Sequence, residues 1–176
     1  MSISINGNGI TSANIADGAI TNADIADDAI TDAKLASGGG KVLQVVQGTY
    51  STQTSIATTT YTATGLSLSI TPSLATSKIL VMWNIPAELY VTDSTERSAY
   101  FQSYRDDTAL SENRLAIQGS VRSGQTMSGI YLDSPSSTSA LTYNIKARAS
   151  DTASSSNITA QRSGLDSTIT LMEIGV

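Results

Sequence analysis

The residues best suited to recognise a ligand gather in Tyr90-Val-Thr-Asp-Ser-Thr-Glu-Arg97. Tyr90 offers a flat face on which a sugar ring can stack, while Asp93, Glu96 and Arg97 can exchange hydrogen bonds with hydroxyl groups. Asp151, followed by Ser154, Ser155 and Ser156, is a second polar candidate. The same composition also serves a solvated loop that binds nothing. Asp106, Asp107 and Glu112 raise a different chemistry, calcium binding or a glycosidase pair of carboxylates. Adjacent aspartates point apart in an extended chain and no EF-hand spacing is present, so a turn with Asp at its start is the simpler account. The chain contains neither His nor Cys. That removes Ser-His-Asp and Cys-His arrangements, His- or Cys-ligated zinc, disulfides and the usual general base near neutral pH. Any catalysis would have to rest on carboxylates, Tyr or Lys, and the expectation is a protein without enzymatic activity, metal or cofactor.

These loops need strands to hold them. From Val42 onward the chain is rich in β-branched and aromatic residues, with turn signals at strand-length spacing. Strands are expected at 42–50, 60–70, 77–90, 97–105, 114–122, 125–133, 140–149, 157–162 and 167–175. So many short strands without a helical period predict an all-β sandwich or jelly roll. If successive strands run antiparallel, the loops 51–59, 91–96, 123–125 and 150–157 share the end of the sandwich away from Val42. Leu141, Tyr143, Ile145, Ala147 and Ala149 alternate with polar residues and give that strand one wet face. The stretch Ile79-Leu-Val-Met-Trp-Asn-Ile85 is apolar on both faces: Ile79, Val81, Trp83 and Ile85 point one way, Leu80 and Met82 the other. A strand dry on both sides needs cover beyond its partner sheet, either a second copy of the domain or a long loop. Tyr100 and Tyr104 share one face of their strand with Phe101 on the other; a tyrosine-rich surface suits an oligomer interface and a sugar-binding face equally.

The first 40 residues follow a different rule. A branched apolar residue returns every five positions, at Ile5, Ile10, Ile15, Ile20, Ile25, Ile30 and Leu35, within the decamer I-T-x-A-x-[IL]-A-[DS]-x-[AG]. On a helix a five-residue step turns about 500°, which builds no apolar stripe. On a strand an odd step alternates faces. Each decamer is therefore expected to bend, at Asp17-Gly18, Asp27-Asp28 and Ser37-Gly38-Gly39, after one short helical turn preceded by Thr11, Thr21 or Thr31. One isoleucine in five buries too little surface to offset an ordering cost of roughly 1–2 kcal/mol per residue. Seven pentads are too few for a stacked solenoid. Several copies of the chain wound together, each isoleucine turned to a shared axis, resolve both problems.

The division expected is a peptide over 1–9, a repeat shaft over 10–37, a glycine hinge over 38–41 and a sandwich over 42–176. Charge follows it: residues 1–40 carry five Asp against Lys34, or −4 of the total −5. No basic patch is present, so nucleic acid is not an expected partner. The start lacks the basic and apolar regions of a signal peptide and no run approaches a membrane span, which predicts a soluble protein outside the general secretory route.

The decamer, the glycine hinge and Val42-Leu-Gln-Val-Val-Gln-Gly-Thr-Tyr50 together resemble short tail-fibre proteins of tailed bacteriophages, especially those infecting cyanobacteria and other aquatic hosts. Leu68-Ser-Ile-Thr-Pro72, Ser77-Lys-Ile-Leu-Val81, Tyr104-Arg-Asp106 and Ser167-Thr-Ile-Thr-Leu-Met-Glu-Ile174 are similar to the C-terminal domain of the same group. The resemblance implies a homotrimer in the virion tail fibre: an intertwined trimeric repeat shaft with three β-sandwich heads similar to tumour-necrosis-factor and complement-C1q domains. It implies host attachment by binding a surface polysaccharide, lipopolysaccharide-like, or an outer-membrane protein, with the N-terminus joined to a baseplate or tail protein. Tyr90, Asp93, Glu96, Arg97 and Asp151 are then the candidate receptor contacts. The seven repeat residues with Leu80, Met82, Tyr100 and Tyr104 are the candidate trimer contacts. A purely structural tail decoration and a polysaccharide depolymerase are the competing readings.

Overall fold

The computed structural model describes residues 20–26, 41–151 and 156–175. The chain divides into two units, Met1–Gly38 and Gly39–Val176. In the first, Asn22–Asp24 forms a single 3-10 turn. The Thr21 amide and hydroxyl both donate to the Asp24 carboxylate, at 2.9 and 2.6 Å, and the Asp24 amide donates back to the Thr21 carbonyl at 3.0 Å. Those bonds hold the Asp24 carboxyl below its ordinary pKa. This is the capped turn expected after Thr21, and it leaves Ile20 and Ile25 exposed in the single chain. Ile5, Ile10, Ile15, Ile30 and Leu35 lie outside the described residues.

In the second unit the alternation of apolar and polar residues becomes strands: β1 (Lys41–Tyr50), β2 (Thr54–Ile56), β3 (Thr62–Ile70), β4 (Lys78–Val91), β5 (Arg97–Arg105), β6 (Thr108–Ile117), β7 (Val121–Asp133), β8 (Leu141–Ala149), β9 (Ser156–Ala160) and β10 (Ser167–Gly175). The first half of β4 pairs with β10 and the second half with β9, so β9 and β10 act as one interrupted strand. β1 and β2 pair with these two in turn and form a second interrupted strand. With β4 and β7 they make a sheet in the order β1/β2, β10/β9, β4, β7; the facing sheet runs β3-β8-β5-β6. Counted this way, the first strand pairs with the eighth, second with seventh, third with sixth and fourth with fifth. That nesting is a long hairpin wound into a jelly roll, the all-β sandwich expected.

The two interruptions lie side by side. Gln161 enters the second at φ 52°, its side chain buried and within 3.0 Å of the Ser167 hydroxyl. The Ser163 amide donates to Gln53 Oε1 across the gap at 3.1 Å.

The core lies between the sheets. Ile79, Val81, Trp83, Ile85, Leu89 and Val91 of β4 meet Phe101 of β5 and Tyr143, Ile145 and Ala147 of β8, and Trp83 stacks on Phe101 at 6.4 Å between ring centres. Arginines at both ends of β5 close the two mouths. Arg105 reaches Asp133, which also accepts from the Tyr143 hydroxyl, at the end where the chain enters; Arg97 reaches Asp93 and Asp151 at the far end.

Three expectations are corrected. The strand placed at 114–122 is β6, 108–117, and the connection placed at 123–125 lies inside β7. The chain turns at 118–120 instead, where Gly119 takes φ 96°. β6 starts early because Asp106, at φ 51°, makes the turn after β5 with only Asp107 beside it. Its carboxylate accepts from the Thr142 amide at 3.0 Å, the turn role expected for it. The short β2 falls within the segment 51–59 expected to be a loop.

Glu173 projects inward from β10 and is fully buried. It accepts from the Ser73 amide at 2.7 Å, the Leu74 amide at 3.3 Å and the Gln44 side-chain amide at 2.6 Å, pinning the loop between β3 and β4. Burial alone would raise its pKa, but these hydrogen bonds, led by Gln44, outweigh it and hold the carboxyl below the usual glutamate value. A depressed folded-state pKa adds stability above the unfolded value, near about 4.3, and loses it as pH falls through the folded value. Glu173→Gln is therefore expected to flatten the acid limb of the stability profile below about pH 4.3, read by urea midpoints across pH. An unchanged acid slope would contradict this role.

Candidate functional site

The end of the sandwich opposite Lys41 carries the connections 57–61, 92–96 and 118–120 and the one that follows Ser150. The loop singled out for ligand recognition is there, but its residues divide among three settings. Asp93 and Asp151 both bind Arg97: Arg97 Nη2 is 2.7 Å from Asp93, and Nη1 donates to Asp151. The Asp93 carboxylate also accepts from the Thr95 amide at 3.0 Å, closing an Asx-type turn. The hydrogen bond that Arg97 donates to the Asp93 carboxylate, ahead of the opposing effect of burial, raises the Arg97 pKa, so its charge is permanent. Arg97 thus staples the 92–96 loop to the start of the loop after β8. Glu96 turns away to Arg114, 2.5 Å off. Tyr90 lies on the outer face of the first sheet, beneath the Arg122 guanidinium at 4.7 Å. Arg122 and Arg162 flank the buried Glu88 there, at 3.3 and 2.8 Å. The structure brings Asp93, Arg97 and Asp151 together and leaves Tyr90 and Glu96 elsewhere.

The tyrosines of β5 occupy the outer face of the second sheet. Arg148 lies 3.9 Å from the Tyr100 ring centre and 5.1 Å from that of Tyr61, Lys146 lies 4.3 Å from that of Tyr104, and Tyr61 meets Tyr104 edge-on at 6.0 Å. Leu80 and Met82 face outward from the first sheet, so the four residues expected at an interface lie on opposite faces of the sandwich. Asp107 approaches Lys146 at 3.8 Å, while Glu112 accepts from Tyr61 and lies 3.7 Å from Arg148. With Asp106 held in its turn, each of these three carboxylates has a separate partner, and among the described residues no three potential metal ligands gather.

Sequence reasoning missed a depression of about 660 Å³ whose lining includes Gln47, Asn84, Ser128, Thr168 and Thr170 with Met82 and Ile130, together with Trp83, Gly129 and Asn113. The signal was present: outward positions that read Leu80 and Met82 change to Asn84 midway along one strand, and their neighbours on β10 change from Met172 to Thr170 and Thr168.

This strand order defines the class, an eight-stranded jelly-roll sandwich in which two strands are interrupted. No family model matches the chain, and no curated protein matches it either. Solved structures of the infectious bursal disease virus are similar to it at a distance. The T13 viral particle aligns at 8% identity over 77% of this chain and 38% of that one, with a TM-score of 0.40. The Gx strain aligns at 9% identity over 76% and 40%, with a TM-score of 0.38. This chain spans about two fifths of the length of those proteins. A likeness at this level carries no functional inference.

Proposed function

We propose that this chain is a self-associating virion component without enzymatic activity, a short trimeric tail fibre whose sandwich attaches to a polysaccharide or other receptor on the host surface. The observation that carries the association is the outer face of the first sheet near the Lys41 end. There the pairing places Val45, Met172, Leu80 and Leu132 in one row, Met82 and Ile130 in the next, and Val42 beside Ile174. Val45 is 54% exposed, Ile130 67% and Leu132 47%. Single exposed hydrophobics are ordinary, but a patch continuous across four strands marks an interaction surface. A second copy is the occupant most consistent with the chain as a whole, because the decapeptide repeat separately needs copies to cover its isoleucines. A ring of three would use a heterologous contact, joining this face to a different surface of the next copy.

Leu132→Asp with Ile130→Asp is expected to turn the oligomer into monomers while leaving the β-sheet circular dichroism intact, as read by light scattering. An assembly of unchanged mass would refute the assignment. Incubation with host surface polysaccharide should release no new reducing ends; their appearance would favour a depolymerase. The mutual pairing of Asp93, Arg97 and Asp151 favours the second reading, a structural tail decoration without a receptor. Undiminished adsorption competition by Arg97→Ala protein would support that reading at this loop.

A further inference from the structure

We infer that the tip of the first sheet carries a subsite for an acidic sugar unit, whose single negative charge, a carboxylate or a sulfate ester, is held by Arg162 and Arg122. The inference rests on the attachment reading above and adds to it a place and a ligand class. Three features carry it. The first is an uneven ion-pair count. Glu88 projects outward from β4 yet is only 6% exposed, with a guanidinium on each of its oxygens: Arg122 Nη1 lies 3.3 Å from Oε1 and Arg162 Nε lies 2.8 Å from Oε2. Among the described residues the other carboxylates in ion pairs are engaged with other cations, so two arginines share one anion. The cluster keeps one positive charge in excess, and the side chains of Arg122 and Arg162 are 66% and 50% exposed. Arg162 contacts Glu88 through Nε, which leaves the four N–H bonds of its two Nη groups for a second oxygen-bearing group.

The second feature is how these cations are placed. Arg162 follows the buried Gln161, whose left-handed backbone ends β9, and the Ser163 amide beside it is tied to Gln53. Its guanidinium reaches across β4 to lie on Gly124 of β7, where a Cβ would come within 2.5 Å of Nη1. Glycine makes the room for it. Arg122 is held by the Tyr90 ring, so Tyr90 positions a cation instead of stacking on a sugar. The third feature is a depression of about 210 Å³ beside Arg162, lined also by Gly124, Thr126, Pro86 and Leu165. The register sets Thr126 opposite Pro86 and Gly124 opposite Glu88, all at outward positions of the sheet. Leu165 is 56% exposed and with Pro86 offers apolar contact to the C–H face of a sugar ring, while the Thr126 hydroxyl can exchange a hydrogen bond with a sugar hydroxyl. Arg162 is the one charged side chain in the lining. The volume lies below the roughly 300–1,000 Å³ usual for sites that enclose larger ligands, which suits a single sugar unit. The row of Asn84 and Ser128 separates the depression from Met82 and Ile130, so it lies apart from the apolar patch assigned to a second copy.

Titration calorimetry on the full-length protein tests this with trigalacturonate, its methyl ester, a sulfated carrageenan oligosaccharide and maltotriose. Saturable binding of trigalacturonate or the sulfated oligosaccharide, none of the ester or maltotriose, and a loss of about tenfold in affinity in Arg162→Gln and in Gly124→Ala would support the subsite. Which acid binds identifies the source of the charge. Gly124→Ala displaces the guanidinium without removing it, so it tests position apart from charge. Urea stability and mass are checked for both variants, and should one misfold, the other carries the comparison. Arg114→Gln removes the same charge from the outer face of the second sheet and should bind like the wild type. An equal loss there would overturn the subsite in favour of general charge attraction. Ester bound as tightly as acid, no saturable binding of either acid at millimolar concentration, or binding that both variants leave intact would also overturn it. Adsorption competition reads the attachment proposal separately: protein that blocks adsorption but binds neither acid loses the subsite alone. Protein that binds an acid but does not block adsorption keeps the subsite and loses the attachment reading.

Discussion

Asp133→Ala is expected to destabilise the sandwich by about 3–5 kcal/mol, the usual cost of leaving one member of a buried ion pair alone. Its carboxylate oxygens lie 2.8 and 2.7 Å from Arg105 Nη1, and one of them also accepts from the Tyr143 hydroxyl at 2.7 Å. The Asp133 side chain is 7% exposed and that of Arg105 21%. Burial first, and then the bond to Asp133, push the Tyr143 hydroxyl far above the ordinary tyrosine pKa, so it remains a donor to that carboxylate at any working pH. Truncating Asp133 strands a guanidinium and a phenol together at the mouth of the core. Urea unfolding measures the loss. Replacing both partners, Arg105→Met with Asp133→Leu, is expected to recover most of it, because no charge is then left unpaired. A single-variant loss under about 1 kcal/mol would mean that water reaches the pair and screens it.

Gly65→Ala is the second large effect. Gly65 sits at φ 90° in a bulge where β3 holds two more residues than β8 between Ala63 and Ser67. A left-handed backbone costs a residue with a Cβ roughly 1–2 kcal/mol. That Cβ would also lie 2.2 Å from the Tyr50 ring, an overlap that adds about 1–3 kcal/mol of strain. The sum, about 2–5 kcal/mol, can be separated by a double-mutant cycle with Tyr50→Ala. The overlap should disappear in the double variant while the backbone term stays. Additive losses would locate the whole cost in the backbone.

Strands were legible in the sequence wherever a single alternation ran unbroken. β4, β8 and β10 keep inward residues on every second position from end to end, and their ends fell within a residue or two of expectation. β6 was misplaced because a bulge interrupts its alternation: Gln102 pairs with Glu112 but Tyr104 with Ala109, so β6 carries one extra residue and its pattern changes phase midway. The candidate site was less legible for a similar reason. Loop composition points to Asp93, Arg97 and Asp151, but three groups of opposite charge in one loop cluster can satisfy each other, and only distances show that they do. The neutral depression comes from outward residues on β1, β4, β7 and β10, distant in sequence, and its polar character is invisible until the register aligns them.

The paired interruptions at 51–53 and 161–166 bear on how such a chain can change over generations. They divide the first sheet into a base, where β1 and β10 flank the lower half of β4, and a tip, where β2 and β9 flank the upper half. Pairing is fixed separately on each side of the break, so residues added there lengthen the excursion without slipping the base out of register. The joint lets the tip change in length while the strand register of the base stays fixed.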